Sequence, residues 1–134
     1  MFRNQSHWLR AAYLLGFLAA GIPYWLIPYH QVNLPSALIS PGLVLVVMAA
    51  VLLRAWLGTP FWKTVRFMGS TLAAAVLARV IVEGLSEPSS HNLWPFELLI
   101  ALLLGFACAF SGAVLGNLMA RLCRQARDHK TGQS

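Results

Sequence analysis

Four long apolar segments, separated by short polar links, limit the possible fold of this chain more than any other feature. A helix needs roughly 20 mostly apolar residues to cross a bilayer, because its backbone polar groups must be satisfied within the helix itself. The segments cover residues 9–28, 36–53, 67–85 and 95–120. The sequence therefore predicts an all-α integral membrane protein, in which residues 1–134 form a single transmembrane domain built as a four-helix bundle.

The overall composition is typical of a chain whose solvent is lipid. Hydrophobic residues make up 58% of the sequence and charged residues 10%, compared with about 45–50% and 25% in soluble domains. A net charge of +6 could suit nucleic acid, but the basic residues flank the apolar segments and form no long basic arm. We therefore expect membrane lipids around the chain and no nucleic-acid partner.

The positions of the basic residues predict the orientation of the helices, because cytoplasmic loops retain Lys and Arg near the ends of spans. The basic residues at the ends of the segments all fall on one side: Arg3, Arg10, Arg54, Lys63, Arg66, Arg121, Arg124, Arg127 and Lys130. The loops on the other side hold no Lys or Arg and include Glu87. We predict a multi-pass protein of the bacterial inner (cytoplasmic) membrane, with both termini in the cytoplasm.

The N-terminus also has the basic and apolar regions of a signal peptide, with small residues near positions 19–21. Its apolar character continues through residues 22–27. That continuation favours a first span that is retained over a leader that is removed.

Small residues form two rows on the fourth segment, which is how membrane helices approach one another closely. The rows are Gly105, Ala109 and Ala113, and Cys108, Gly112, Gly116 and Ala120. We predict helix packing at Gly105, Gly112 and Gly116. Packing within one chain is the favoured interpretation, and an interface with another subunit is the alternative.

Arg79 lies inside the third segment, about 18 Å along a helix from Phe67 at 1.5 Å per residue. A charge at that depth requires a partner. Glu83 follows one turn later on the same helical face, and Glu97 lies at a comparable depth in the first turn of the fourth segment. We predict that Arg79 pairs with Glu83, Glu97 or both and holds the third and fourth helices in register. The alternative is that these residues line a transport path.

Polar side chains in the two loops on the acidic side form a second candidate site, at His30, Asn33, His91 and Asn92. Imidazole, amide and carboxylate groups could bind an ion or a polar headgroup there. Helix capping explains most of the second loop equally well, because a Ser/Asn-rich turn precedes Pro95. No close pair has metal-ligand spacing, so we predict neither a metal site nor a cofactor.

The sequence contains no catalytic motif in the context that such a motif requires. We therefore predict a small non-enzymatic membrane subunit that packs against, stabilises or assembles other membrane proteins or copies of itself. The alternative is a small oligomeric channel or transporter subunit that uses Arg79 and the nearby carboxylates. A lipid-modifying enzyme is a third possibility, and it would require the polar loop residues to converge in a cleft.

Overall fold

The computed structural model describes residues 2–28, 31–33, 36–86 and 93–131. Within these ranges the chain is helical and contains no strand. The elements are α1 (Phe2–Trp25), a short 3-10 helix (Ser36–Leu38), α2 (Pro41–Ala55), α3 (Phe61–Ser86) and α4 (Trp94–Thr131). The predicted all-α class is confirmed for this part of the chain.

Consecutive helices run in opposite directions between two ends of the bundle. At one end, Gln5 Nε2 donates to the Leu57 carbonyl oxygen at 2.8 Å, and Arg54 Nη2 donates to Asn117 Oδ1 at 3.1 Å. We call this the basic end, and we call the opposite end, which holds Arg79 and the two glutamates Glu83 and Glu97, the acidic end. The first and last helices each pack on both α2 and α3, so α1 and α4 lie at opposite corners of the bundle.

The sequence predicts one continuous helix over residues 36–53, but the structure divides this segment into two elements. The 3-10 helix Ser36–Leu38 comes first, and α2 begins at Pro41. Proline has no backbone N–H and disfavours a helical conformation at the preceding residue, so the chain is extended at Ser40 (φ −125°, ψ 164°). Proline is well suited to the first helical position, where its missing N–H would have no partner.

Three of the helices extend into polar sequence beyond the predicted boundaries. The first begins at Phe2, α3 begins at Phe61, and α4 continues to Thr131, compared with predicted limits at residues 9, 67 and 120. Apolar composition set those limits, whereas a helix continues wherever its backbone hydrogen bonds are kept. The largest difference is at α4, whose residues 121–130 are mostly polar and all exposed.

Small residues bring the helices into close contact. A Cβ atom added to Gly42 of α2 would meet the backbone at Ala19 and Ala20 of α1, and one added to Gly105 of α4 would meet the Gly69 carbonyl oxygen of α3. Between these contacts, larger side chains fill the core, among them Val46, Met68, Leu72 and Val76. The bundle therefore combines close backbone approach at its edges with ordinary apolar packing inside.

Two helices, α3 and α4, are long and apolar enough to cross a membrane, judged by length and composition alone. The second helix is also apolar but has only 15 residues. Much of the apolar surface faces outward, and on α4 it includes Phe96, Leu99, Leu103, Phe110, Leu115, Leu118, Met119 and Leu122. This surface supports a membrane protein of at least two candidate spans.

Candidate functional site

Arg79 is buried at the acidic end, with only 5% of its surface exposed. Each of its three guanidinium nitrogens donates a hydrogen bond. Nε donates to Glu83 Oε1 at 2.7 Å, Nη1 to the Tyr24 carbonyl oxygen at 2.6 Å, and Nη2 to the Ile27 carbonyl oxygen at 2.7 Å. The side chain thus binds a carboxylate on its own helix and two backbone oxygens where α1 ends.

The end of α1 explains why a cation is held at this place. The last carbonyl groups of a helix have no partner within the helix and carry its partial negative charge. No basic residue occurs in the last turn of α1, so Arg79 supplies the missing positive charge from α3. Trp25 strengthens the same junction, because its indole Nε1 donates to the Ala75 carbonyl oxygen at 3.0 Å.

Tyr24 lies at the centre of the cluster and is 1% exposed. The Arg79 guanidinium carbon lies 4.7 Å from the centroid of its ring, a favourable cation–π arrangement. Glu97 of α4 lies close enough to interact electrostatically with its hydroxyl. The cluster therefore joins α3 to α1 directly and reaches α4 through Tyr24.

The three residues predicted from the sequence, Arg79, Glu83 and Glu97, lie at the same end of the bundle. The ion pair that the structure describes joins Arg79 to Glu83. The sequence does not indicate Tyr24 or the α1 carbonyl groups as partners of Arg79, and the predicted role of Arg79 is at the contact between α3 and α4. The position of Pro28 could have pointed to these carbonyl groups. This proline ends the first segment at a predicted membrane depth close to that of Arg79, so the last carbonyl groups of the first helix lie at the same level.

A small open cavity adjoins this cluster on the outside of the bundle. It has a volume of about 290 Å³ and is lined by Trp25, Ala78, Arg79, Val82 and Glu83. Most of the lining is apolar, and the polar groups that reach it are already joined in the ion pair. Its chemistry could accommodate a small polar molecule beside Glu83, whose side chain is 31% exposed.

The glycines predicted for helix packing lie against neighbouring helices of the same chain. A Cβ atom added to Gly112 would be 2.7 Å from the Val47 carbonyl oxygen, and one added to Gly116 would be 2.7 Å from the Val51 carbonyl oxygen. Both contacts are with α2, whereas Gly105 contacts α3. These faces of α4 are therefore occupied within the monomer.

The polar loop candidates are mostly not described. His30, His91 and Asn92 lie outside the described residues, and Asn33 is exposed. Within the described ranges, no three His, Cys, Asp or Glu side chains come together closely enough to hold a metal ion. The Arg79 cluster is thus the polar site for which the structure gives geometry at this end.

Comparison with known proteins adds no relative. No protein-family model, curated protein or solved structure matches the chain.

Proposed function

We propose that the chain crosses the bacterial inner membrane four times, with its basic end in the cytoplasm. The exposed apolar surface supports this proposal, because monomeric soluble proteins rarely expose apolar patches larger than a few hundred Å². Charge supports the orientation, because Lys63, Arg66 and the α4 extension lie at one end, and Glu83 and Glu97 lie at the other.

The short second span is compatible with this arrangement. The 15 residues of α2 have a length of about 22 Å, and the preceding 3-10 helix adds about 6 Å. Together they approach the thickness of the hydrocarbon layer, about 30 Å. The 3-10 turn would then lie close to the outer surface of the membrane.

We further propose that the protein is a non-enzymatic membrane subunit, whose role is to pack against and stabilise another membrane protein or copies of itself. One observation carries this proposal: the buried guanidinium group of Arg79 binds Glu83 and the backbone carbonyl groups at the end of α1. Arg79 uses all three nitrogens on Glu83, Tyr24 and Ile27. A side chain committed in this way serves to hold helices together, and much of the helix surface between the two ends is apolar and suited to lipid or another helix.

Gentle purification from the native membrane tests the proposal. The tagged chain is extracted in a mild detergent, its mass is measured by light scattering, and co-purifying proteins are identified and quantified. We expect a particle larger than the 14.7 kDa chain, composed of several copies or of a second membrane protein at fixed stoichiometry. A monomer with no stoichiometric companion would contradict the proposal.

The open cavity beside Glu83 favours a second candidate, a channel or transporter subunit. Liposomes that contain the purified protein separate the two functions, because a transporter alone should give a flux of ions or solutes. Glu83→Gln is the informative variant, since Glu83 lines the cavity and is partly exposed. Wild-type flux that this variant abolishes would support transport, whereas wild-type liposomes without flux would support the subunit.

A further inference from the structure

An open cleft of about 530 Å³ lies at the basic end, between the end of α2 and the extension of α4. Its lining includes Arg54, Trp56, Asn117, Arg121, Arg124 and Arg127. The described lining contains no acidic side chain. Four guanidinium groups line one concave surface, and their positive charge is complementary to an anion.

The cleft exists because α4 continues beyond the point where α2 stops. Gly112 and Gly116 hold the two helices together along their length, but α2 ends at Ala55 and α4 runs to Thr131. Arg124 and Arg127 follow Gly116 by eight and eleven residues, positions that share one face of a helix. The face of α4 that packs on α2 therefore continues beyond the end of α2, where it carries arginine side chains.

Arg54 is held in place at the inner limit of the cleft. Its Nη1 donates to the Thr59 carbonyl oxygen at 2.6 Å and its Nη2 to Asn117 Oδ1 at 3.1 Å. Its Nε is buried and has no hydrogen-bond partner among the described residues. A guanidinium group that is already positioned loses less freedom when an anion binds.

An apolar groove of about 700 Å³ adjoins the cleft on the other side of the turn after α2. It runs between α1 and α2, where Trp8, Ala11 and Leu15 face Ala49 and Leu52, among others. Trp56 and Leu57 line both the groove and the basic cleft. The basic cleft and the apolar groove therefore meet at the turn after α2.

We propose that the basic end binds an anionic phospholipid of the surrounding bilayer, with its phosphate in the arginine cleft and one acyl chain in the groove between α1 and α2. This inference rests on the proposed membrane location and orientation. Arginine binds phosphate with two parallel hydrogen bonds, and the cytoplasmic leaflet is the one rich in anionic lipid. Tryptophan at the junction, here Trp56, is typical of the headgroup layer.

The test is a lipid titration of the purified full-length protein in a neutral detergent. The melting temperature is followed as dioleoyl phosphatidylglycerol or dioleoyl phosphatidylcholine is added, because a ligand that binds only the folded state raises it. Phosphatidylglycerol should stabilise the protein at concentrations where phosphatidylcholine does not. Equal stabilisation by the two lipids would overturn the proposal.

Paired charge variants locate the binding site. Arg121→Gln combined with Arg124→Gln removes two exposed arginines from the cleft, and we expect the affinity for phosphatidylglycerol to fall about 30-fold. Lys63→Gln combined with Arg66→Gln removes the same charge from the same end but outside the cleft, and should change the affinity less than about threefold. An equal loss in both variants would show that the cleft is not the site.

Two further arms separate a lipid from a free phosphate compound. Ala11→Phe should weaken phosphatidylglycerol binding and leave the melting temperature without lipid unchanged, because Ala11 is exposed in the groove. Glycerol 1-phosphate should not stabilise the protein at matched concentrations, and stabilisation equal to that by the lipid would contradict a phospholipid site. A chain that fractionates with membranes but shows no preference for phosphatidylglycerol would contradict this inference alone. Recovery in the soluble fraction would instead contradict the proposed membrane location.

Discussion

Replacing Arg79 by methionine tests what the buried cluster contributes to stability. The variant keeps an apolar stem of similar length and removes the guanidinium group. It takes the hydrogen-bond donors from the carbonyl oxygens of Tyr24 and Ile27 and removes the ion partner of Glu83. We expect the free energy of unfolding to fall by about 3–5 kcal/mol, as when one member of a buried charged network is removed.

Most of this loss should come from the carbonyl groups. The Glu83 side chain is 31% exposed and that of Arg79 is 4% exposed, so water screens one end of the ion pair. Exposed ion pairs contribute about 0–1 kcal/mol, whereas hydrogen bonds to charged groups contribute about 1.5–3 kcal/mol each. Glu83→Gln alone should therefore cost no more than about 1 kcal/mol.

Unfolding by a denaturing detergent in mixed micelles, followed by circular dichroism, measures these free energies. Arg79→Lys is the matched control, because its single ammonium group keeps the charge but lacks the fork that reaches both carbonyl oxygens. It should remain clearly less stable than the wild type. The double variant Arg79→Met with Glu83→Gln should recover less than about 1 kcal/mol. Recovery of the double variant to near wild-type stability would refute the reasoning, since the ion pair would then be the main contribution.

Four further variants, at three glycines, test a close helix contact, an open control position and the turn after α2, all by the same unfolding measurement. Gly116→Ala should lower the free energy of unfolding by about 1–3 kcal/mol. The new methyl group would be 2.7 Å from the Val51 carbonyl oxygen and 2.8 Å from Arg54 Cβ. An unchanged free energy of unfolding would contradict this close contact. Gly84→Ala, the same change in α3 with nothing within 4 Å, should instead stabilise by about 0.5–1 kcal/mol. Gly58→Ala should lower the free energy of unfolding by about 1–2 kcal/mol, because Gly58 has φ of 61°, in the left-handed region. Gly58→Asn should cost less, since asparagine tolerates this region better than alanine. If both variants were as stable as the wild type, the left-handed backbone at this turn would be contradicted.

The sequence was sufficient to predict the helices because each contains a long apolar segment. Their ends were harder to predict. Pro41 marks the true start of α2, but hydropathy alone extended that segment back to residue 36. The polar end of α4 has no apolar signal, although it continues as a helix to Thr131. Local composition therefore predicts whether a segment is surrounded by lipid or water, but it does not predict where the backbone hydrogen bonds of the helix end.

The site was predictable only where its partners are close in the sequence. Glu83 lies four residues from Arg79, so helical geometry alone places them together. Tyr24 and Ile27 lie more than 50 residues away, and their carbonyl groups carry no side-chain signature. The arginine cleft was likewise visible only as scattered basic residues, because it depends on how far α4 extends past α2.

Cysteine labelling in intact cells tests the central claim of a four-span protein with a cytoplasmic basic end. In a background with Cys108 and Cys123 replaced by serine, single cysteines are placed at Gln31, Lys63, Ser89 and Arg124 and treated with a reagent that cannot cross the membrane. We expect labelling of Gln31→Cys and Ser89→Cys in intact cells, and labelling of Lys63→Cys and Arg124→Cys only after permeabilisation. Labelling of Ser89→Cys and Arg124→Cys from the same side would contradict the proposed topology.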